Sequence, residues 1–235
     1  MTKFSGYERL ISIGAIVALV GFILSGPVAF ILVKLVKPQP QWVSPAVFAQ
    51  HYHVVQDVPY YFGFLLIFGM LMISTGYYLN SRSNDAIGKF MLLLGLGFSI
   101  VFSGLISFNY ICQTTFVRNL ALNYRSENDS SIYTFSMANT FSLSWAIEMW
   151  GYAFLGLSTA LSAVYYKNRN NLIAALMILN GVLSICGVLL MIVNVSWVMT
   201  KVGLTSYFGW NILMILIITL VYRESVSQRG KAIMT

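Results

Sequence analysis

Six long apolar stretches alternate with shorter polar stretches along the chain. Each is roughly 20 residues or longer, the length that an α-helix needs to cross the hydrocarbon core of a bilayer. The predicted spans cover residues 10–33, 60–79, 90–118, 141–166, 172–200 and 205–222. The pattern therefore predicts an all-α fold, a polytopic membrane protein whose six transmembrane helices form one bundle domain over residues 1–235.

The polar stretches predict a few further features. Ser44 and Pro45 are typical of a helix start, with serine as the N-cap and proline in the first turn. The helix that follows is too short to span, and its neighbourhood contains Trp42, Phe48 and Tyr52, which favour the membrane interface. We therefore expect a short interfacial helix after the first span.

The remaining connections differ in length. Residues 119–140 are the most polar stretch and predict a long loop. We expect a kink at Gly26–Pro27, a tight turn at residues 201–203, and a disordered polar tail after residue 222.

Composition supports a membrane protein and excludes several other classes. The 235 residues are 58% hydrophobic and 9% charged, against roughly 25% charged in a soluble domain. The net charge of +7 is spread over loops and tails without a basic stripe, so no nucleic-acid partner is expected.

The distribution of lysine and arginine predicts the orientation. Nine of the fourteen basic residues flank the spans on the side that holds both termini: Lys3, Arg9, Arg82, Lys89, Lys167, Arg169, Arg223, Arg229 and Lys231. The positive-inside rule therefore places both termini in the cytoplasm and the first and third loops outside.

Glu148 is the only acidic residue inside a predicted span. A charge there costs roughly 2.5–3.5 kcal/mol on insertion scales, so an intramembrane acid usually marks a site. With the orientation above, four spans place polar residues at a similar depth just below the outer surface. The candidate ligand-binding residues are Glu148, Arg118, Gln113, Asn109, Trp145, Tyr152, Asn194 and Asn211.

Two interpretations of these residues stay open. In the first, Glu148 and Arg118 form the base of an outward-facing polar pocket, with aromatic walls from Trp145, Tyr152, Trp197 and Trp210. In the second, Glu148 and Arg118 form a salt bridge that locks the bundle, the asparagines bond between helices, and the tryptophans anchor the chain at the interface.

Other chemistry receives little support. His51 and His53 diverge on a helix and lack a third ligand, so we expect neither a metal site nor a cofactor. Cys112 and Cys186 lie at different predicted depths, which argues against a disulfide. No phosphate-binding loop, nucleophile elbow or zinc-protease motif occurs, so catalytic residues are not assigned and an enzyme is not favoured.

The run FNYICQTTFVRNLALNY followed by SLSWAIEMWGYAFLGLSTAL resembles a pattern in a family of uncharacterised six-span bacterial integral membrane proteins. The resemblance covers the third and fourth spans. It implies a bacterial inner membrane and carries no activity over to this chain.

These observations predict a protein that binds or transports a small molecule or lipid in an outward-facing polar pocket, with membrane lipid as its surroundings. The alternative is an accessory subunit of a larger membrane complex, whose polar face meets a protein partner or a second copy of the chain. An intramembrane enzyme acting on lipid, with Glu148 as general base, lacks an accompanying nucleophile.

Overall fold

The structure, a computed structural model, describes residues 3–81 and 85–234, and the side chains of residues 6–81 and 85–228. In this part of the chain the regular structure is all helical, joined by short irregular segments, and there is no strand. Its α-helices are α1 (Lys3–Ile23), α2 (Ala29–Val36), α3 (Pro45–His51), α4 (Val58–Leu79), α5 (Ala86–Ile111), α6 (Arg118–Leu122), α7 (Asp129–Phe135), α8 (Leu143–Ser162), α9 (Asn171–Val193) and α10 (Lys201–Met234).

Shorter helical segments join several of these helices. Leu24–Val28 and Cys112–Val117 are π-helical, and the first of them contains Pro27 at the predicted kink. The 3-10 segments are Val54–Asp57, Ser126–Asn128, Ala163–Tyr166 and Trp197–Met199.

Five helical stretches of the described chain are long and apolar enough to cross a membrane. They are Gly6–Val36, Val54–Leu79, Ala86–Leu122, Asn171–Val193 and Lys201–Gln228. A helical protein with this many apolar helices is an integral membrane protein, which agrees with the predicted class.

The predicted fourth span is the helix α8, which is not among these five stretches. Its apolar residues are interrupted by Ser144, Glu148, Ser158 and Thr159, and all four side chains are buried. These polar side chains make α8 less apolar than the helices around it, and their burial means that they face protein.

The six long helices form a closed ring. Each packs on two neighbours, in the order α1, α4, α5, α8, α9, α10 and back to α1. The main apolar cluster fills the ring and includes Tyr77, Phe102, Ile106, Leu155 and Met214. α8 therefore lies between α5 and α9 and contributes to the same core.

Glycines allow the closest helix contacts in the ring. A Cβ at Gly69 of α4 would lie 2.6 Å from the carbonyl oxygen of Gly14 in α1. A Cβ at Gly181 of α9 would lie 2.9 Å from the carbonyl oxygen of Gly156 in α8. Small residues at such points let the backbones approach closely, as is common in membrane bundles.

A small group of helices covers one end of the ring. The helices α3, α6 and α7 pack together around Phe48, Val117, Ala121 and Ile132, and we call them the cap. As predicted, Ser44 is the N-cap of α3, and its hydroxyl accepts a hydrogen bond from the Val47 amide at 3.3 Å. The cap lies where α5 ends and α8 begins, so it borders the predicted site.

The observed helices differ from several predicted boundaries. The long polar stretch 119–140, predicted as a loop whose order the sequence left open, contains part of α6 and all of α7. The helix α9 ends at Val193 because Asn194 is extended, and the Asn194 side-chain oxygen accepts the Ser196 amide at 3.1 Å in a local turn.

The end of the chain also differs from the prediction. Residues 201–203 form the first turn of α10, and that helix continues to Met234 where disorder was expected. Ser225 is buried, and Asn170 donates to Glu224 at 3.3 Å, so the extension packs on the rest of the bundle. Of the basic residues counted for orientation, Arg82 lies outside the described residues, as do the side chains of Lys3, Arg229 and Lys231.

Candidate functional site

The candidate site begins in the first two turns of α8. The hydroxyl of Ser142 caps this helix by accepting a hydrogen bond from the Trp145 amide at 3.0 Å, so the helix starts immediately before Leu143. This start places Glu148 near the end of the ring where α5 finishes. The Glu148 side chain is buried, with 8% of its residue surface exposed.

Neutral groups surround the Glu148 carboxylate. Asn109 Nδ2 donates to one carboxylate oxygen at 2.8 Å, and the Tyr110 hydroxyl donates to the other at 3.1 Å. The Tyr110 and Tyr152 hydroxyl oxygens lie 3.2 Å apart. Among the described side chains, no Lys, Arg or His nitrogen lies within 4 Å of this carboxylate.

Gln113 ties this cluster to the cap. Its amide nitrogen donates to the Phe135 carbonyl oxygen at 2.8 Å and to the Ser144 hydroxyl at 3.2 Å. Its amide oxygen accepts the Met137 backbone amide at 3.0 Å. Both the nitrogen and the oxygen of the Gln113 amide are therefore hydrogen-bonded. The side chain is uncharged, and it holds the segment after α7 in place against α5 and α8.

Arg118 is not the partner of Glu148, which corrects the predicted pocket base and the predicted salt bridge. Arg118 Nη1 lies 3.5 Å from the Asp57 carboxylate and 3.3 Å from the Tyr61 hydroxyl. The reason is the position of Arg118 along the chain, because it follows Tyr110, a partner of Glu148, by about two helical turns. Arg118 therefore lies at the level of the cap, where Asp57 precedes α4.

Asp57 is almost fully buried, and its carboxylate is shared between the cap and the bundle. The Tyr52 hydroxyl donates to both carboxylate oxygens, at 2.6 and 2.7 Å. Burial of Tyr52, together with this hydrogen bond, raises the pKa of its hydroxyl above the ordinary value, so the phenol stays a donor. Asp57 and Arg118 therefore form a structural pair between the start of α4 and the cap.

Three other predicted residues lie apart from the network. Trp145 packs with Val188 and Met191 of α9, on a different face of α8 from Glu148. Asn194 is exposed. Asn211 donates to the Tyr207 carbonyl oxygen of its own helix at 2.6 Å. Of the eight predicted residues, Asn109, Gln113, Glu148 and Tyr152 are thus brought together, while Arg118, Trp145, Asn194 and Asn211 are not.

Aromatic rings lie beside the Glu148 cluster. The Tyr152 ring lies 5.3 Å from the Trp210 ring in an edge-on arrangement, and the Tyr60 ring lies 5.3 Å from the Tyr110 ring. Of the predicted aromatic walls, Tyr152 and Trp210 are therefore adjacent here. Trp197 instead donates its indole N–H to the Gly187 carbonyl oxygen at 3.0 Å.

A second buried glutamate, at the opposite end of the ring, was missed. Glu8 accepts from Asn80 Nδ2 at 2.6 Å and from the Tyr165 hydroxyl at 2.8 Å, and Arg169 lies 3.9 Å away. The signal was present in the sequence, because Glu8 lies three and seven residues before the buried Ile11 and Ala15. This spacing puts Glu8 on the buried face once the helix extends back past residue 10.

Neither a described cavity nor a metal cluster accounts for the buried acids. A cavity of about 10 Å³ is lined by Ser74, Tyr77, Thr159 and mainly apolar residues, so it has room for about one water. No group of three His, Cys, Asp or Glu side chains that could hold a metal occurs in the described part of the chain.

Comparison of the chain with protein-family models, with curated proteins and with solved structures finds no match. The chemistry of the site is therefore argued from its own residues. What distinguishes Glu148 is that Asp57 and Glu8 each have an arginine within 4 Å, whereas Glu148 has only neutral donors.

Proposed function

We propose that the chain is a six-span integral membrane protein that binds a positively charged small ligand at Glu148, at the capped end of the ring. The proposal narrows the predicted small-molecule or lipid pocket to a ligand whose charge complements the carboxylate. The predicted bacterial inner membrane and cytoplasmic termini remain part of it, supported by the resemblance and the distribution of basic residues.

The sixth span of this proposal is α8. It packs between α5 and α9, both of which belong to stretches apolar enough to cross a membrane. Its 20 residues would be about 30 Å long, which matches a bilayer core. Ten of these 20 residues are buried, so α8 needs less lipid-facing apolar surface, which accounts for its composition.

One observation carries the functional part of the proposal: Glu148 is a buried carboxylate without a cationic partner among the described side chains. Two hydrogen bonds offset only part of the cost of removing a carboxylate from water. A cationic ligand would supply the missing charge. Asp57 and Glu8 need no cationic ligand, because Arg118 and Arg169 already lie beside them.

Native mass spectrometry of the gently purified protein tests the proposal. We expect a small-molecule adduct on the wild-type chain that is lost in Glu148→Gln. Glu127→Gln is the matched control, because Glu127 is exposed and pairs only with Arg125 on the surface. An adduct that persists in Glu148→Gln would contradict the assignment, and a stoichiometric protein partner would favour the accessory-subunit hypothesis.

A further inference from the structure

The aromatic groups around Glu148 come from four different helices of the ring. Tyr60 belongs to α4, Tyr110 to α5, Tyr152 to α8, and Trp210 to α10. Tyr110 contacts the carboxylate directly, and the Tyr60 ring packs on the Tyr110 ring at 5.3 Å. The Tyr207 and Trp210 rings are stacked at 6.2 Å. The carboxylate therefore lies among the rings of an aromatic cluster.

From this arrangement we infer that the ligand of Glu148 is an organic cation, an alkylammonium or methylated ammonium compound, held between the carboxylate and these aromatic rings. The inference rests on the proposed function and adds the chemical class of the ligand. Aromatic faces attract such cations through the ring quadrupole, and the carboxylate supplies the opposite charge.

The donor set argues against an inorganic cation. Hard metal ions require several oxygen ligands at 2.0–2.6 Å. Here the nearest groups to the carboxylate are an amide N–H and a phenol that donate to it. The oxygen of Asn109 is turned away and accepts from Gln113 at 3.3 Å. The surrounding aromatic cluster suits a bulky and weakly hydrated cation better than a hard metal ion.

The rings of this cluster are less buried than the core beside them. Phe102 and Ile106 in the adjacent core are fully buried. Tyr60, Tyr152 and Trp210 also pack on this core, yet they are only partly buried, and Tyr207 is 53% exposed. We therefore place the entry of the ligand on this less buried side of the cluster, where α10 begins.

The test uses the full chain in mild detergent and two defined probes, tetramethylammonium chloride and choline chloride, against sodium and potassium chloride at equal ionic strength. The readouts are the thermal unfolding midpoint and the rate at which dicyclohexylcarbodiimide modifies Glu148, followed by mass spectrometry. We expect the organic cations to raise the midpoint and to slow modification at concentrations at least tenfold below those of sodium or potassium.

Variants of the aromatic wall separate this inference from the proposed function. Trp210→Leu should weaken protection by tetramethylammonium about tenfold, and Trp210→Phe should restore most of it, because a ring face is retained. Phe208→Leu is the matched control, since Phe208 lies on the same helix and is 67% exposed. Glu148→Gln should lose both the modification and the thermal response.

The possible results are distinct. Equal protection by sodium, potassium and organic cations would overturn the organic-cation inference while keeping a cation site at Glu148. Modification that responds to pH but to none of the four cations would overturn it in favour of a proton site. A thermal response to tetramethylammonium that persists in Glu148→Gln would overturn the inference and the proposed function together.

Discussion

The side-chain amide of Asn109 lies 2.8 Å from the Glu148 carboxylate and joins α5 to α8 beneath the cap. Asn109 is fully buried, and the same Nδ2 lies 3.2 Å from the Ser144 carbonyl oxygen and 3.2 Å from Met137 Sδ. Since α5 and α8 both contribute, the carboxylate has a defined position although it is not part of an ion pair.

This arrangement predicts that Glu148 contributes little to stability. Glu148→Gln keeps the shape of the side chain and removes a buried charge, so we expect the free energy of unfolding to stay within about 1 kcal/mol of wild type. Thermal unfolding of the ligand-free protein in detergent would measure it. A loss of several kcal/mol would mean that Glu148 is a structural group and would argue against a binding role.

Asp57, in contrast to Glu148, should contribute substantially to stability. Asp57→Asn leaves Arg118 without its carboxylate and weakens both hydrogen bonds from Tyr52. We expect a loss of about 1–3 kcal/mol, because a buried hydrogen-bonded group loses its partner. Equilibrium unfolding in mixed micelles checks this value. Arg118→Gln should cost at least as much, since it leaves the Asp57 carboxylate, whose side chain is only 2% exposed, without a cation.

Little change in Asp57→Asn would show that the cap is held by its apolar contacts alone. The cost of Asp57→Asn should also shrink when Arg118 is already replaced, because the two side chains form one pair. Additive losses in the double variant would contradict a direct interaction between them.

Gln113 is predicted to hold the segment after α7. Replacing Gln113 with Ala removes the bonds to Phe135 and Met137, so the backbone of residues 135–142 should exchange its amide hydrogens faster. Hydrogen-exchange mass spectrometry reports this opening. Thr115→Ala is the control from the same π-helical segment, because Thr115 is exposed and bonds only to the Ile111 carbonyl oxygen. Equal exchange in wild type and Gln113→Ala would contradict the prediction.

The positions of the long helices could be predicted from the sequence because their signal is local. Apolar runs of the required length, and the Ser44–Pro45 helix start, follow from properties of adjacent residues. The helices within the polar stretch 119–140 could not be predicted in the same way. Its helices α6 and α7 are short, and they are stabilised by contacts with Phe48 of α3 that are distant in sequence.

The candidate site was partly predictable for a related reason. Asn109 of α5 and Gln113 of the segment that follows are four residues apart, as are Glu148 and Tyr152 of α8, so each pair is expected to share a face by spacing alone. Arg118 was misplaced because depth does not determine direction. Its partner Asp57 precedes the predicted second span, so a comparison of the polar residues within the spans did not include it.

The proposed six-span architecture predicts that α8 depends on its neighbours for insertion. Placed alone in a glycosylation reporter, α8 should insert less efficiently than α9, because it carries Glu148 and other polar groups. Within the whole chain, α8 should still cross the membrane. Cysteines introduced at Tyr133 and Lys167, in a background without Cys112 and Cys186, should then react with an impermeant maleimide from opposite sides of the membrane. Labelling of both from one side would contradict six spans.

The close contact of α1 and α4 predicts that Gly69 tolerates no side chain. A Cβ there would lie 2.6 Å from the Gly14 carbonyl oxygen and would also collide with the backbone nitrogen of Ala18. Neither backbone group can move without separating the helices, so Gly69→Ala should destabilise the bundle by about 1–3 kcal/mol. Gly97→Ala is the matched control, because a Cβ at Gly97 meets no atom within 4 Å and alanine favours a helix. If unfolding midpoints showed the two variants to be equally stable, α1 and α4 would not pack as closely as the structure shows.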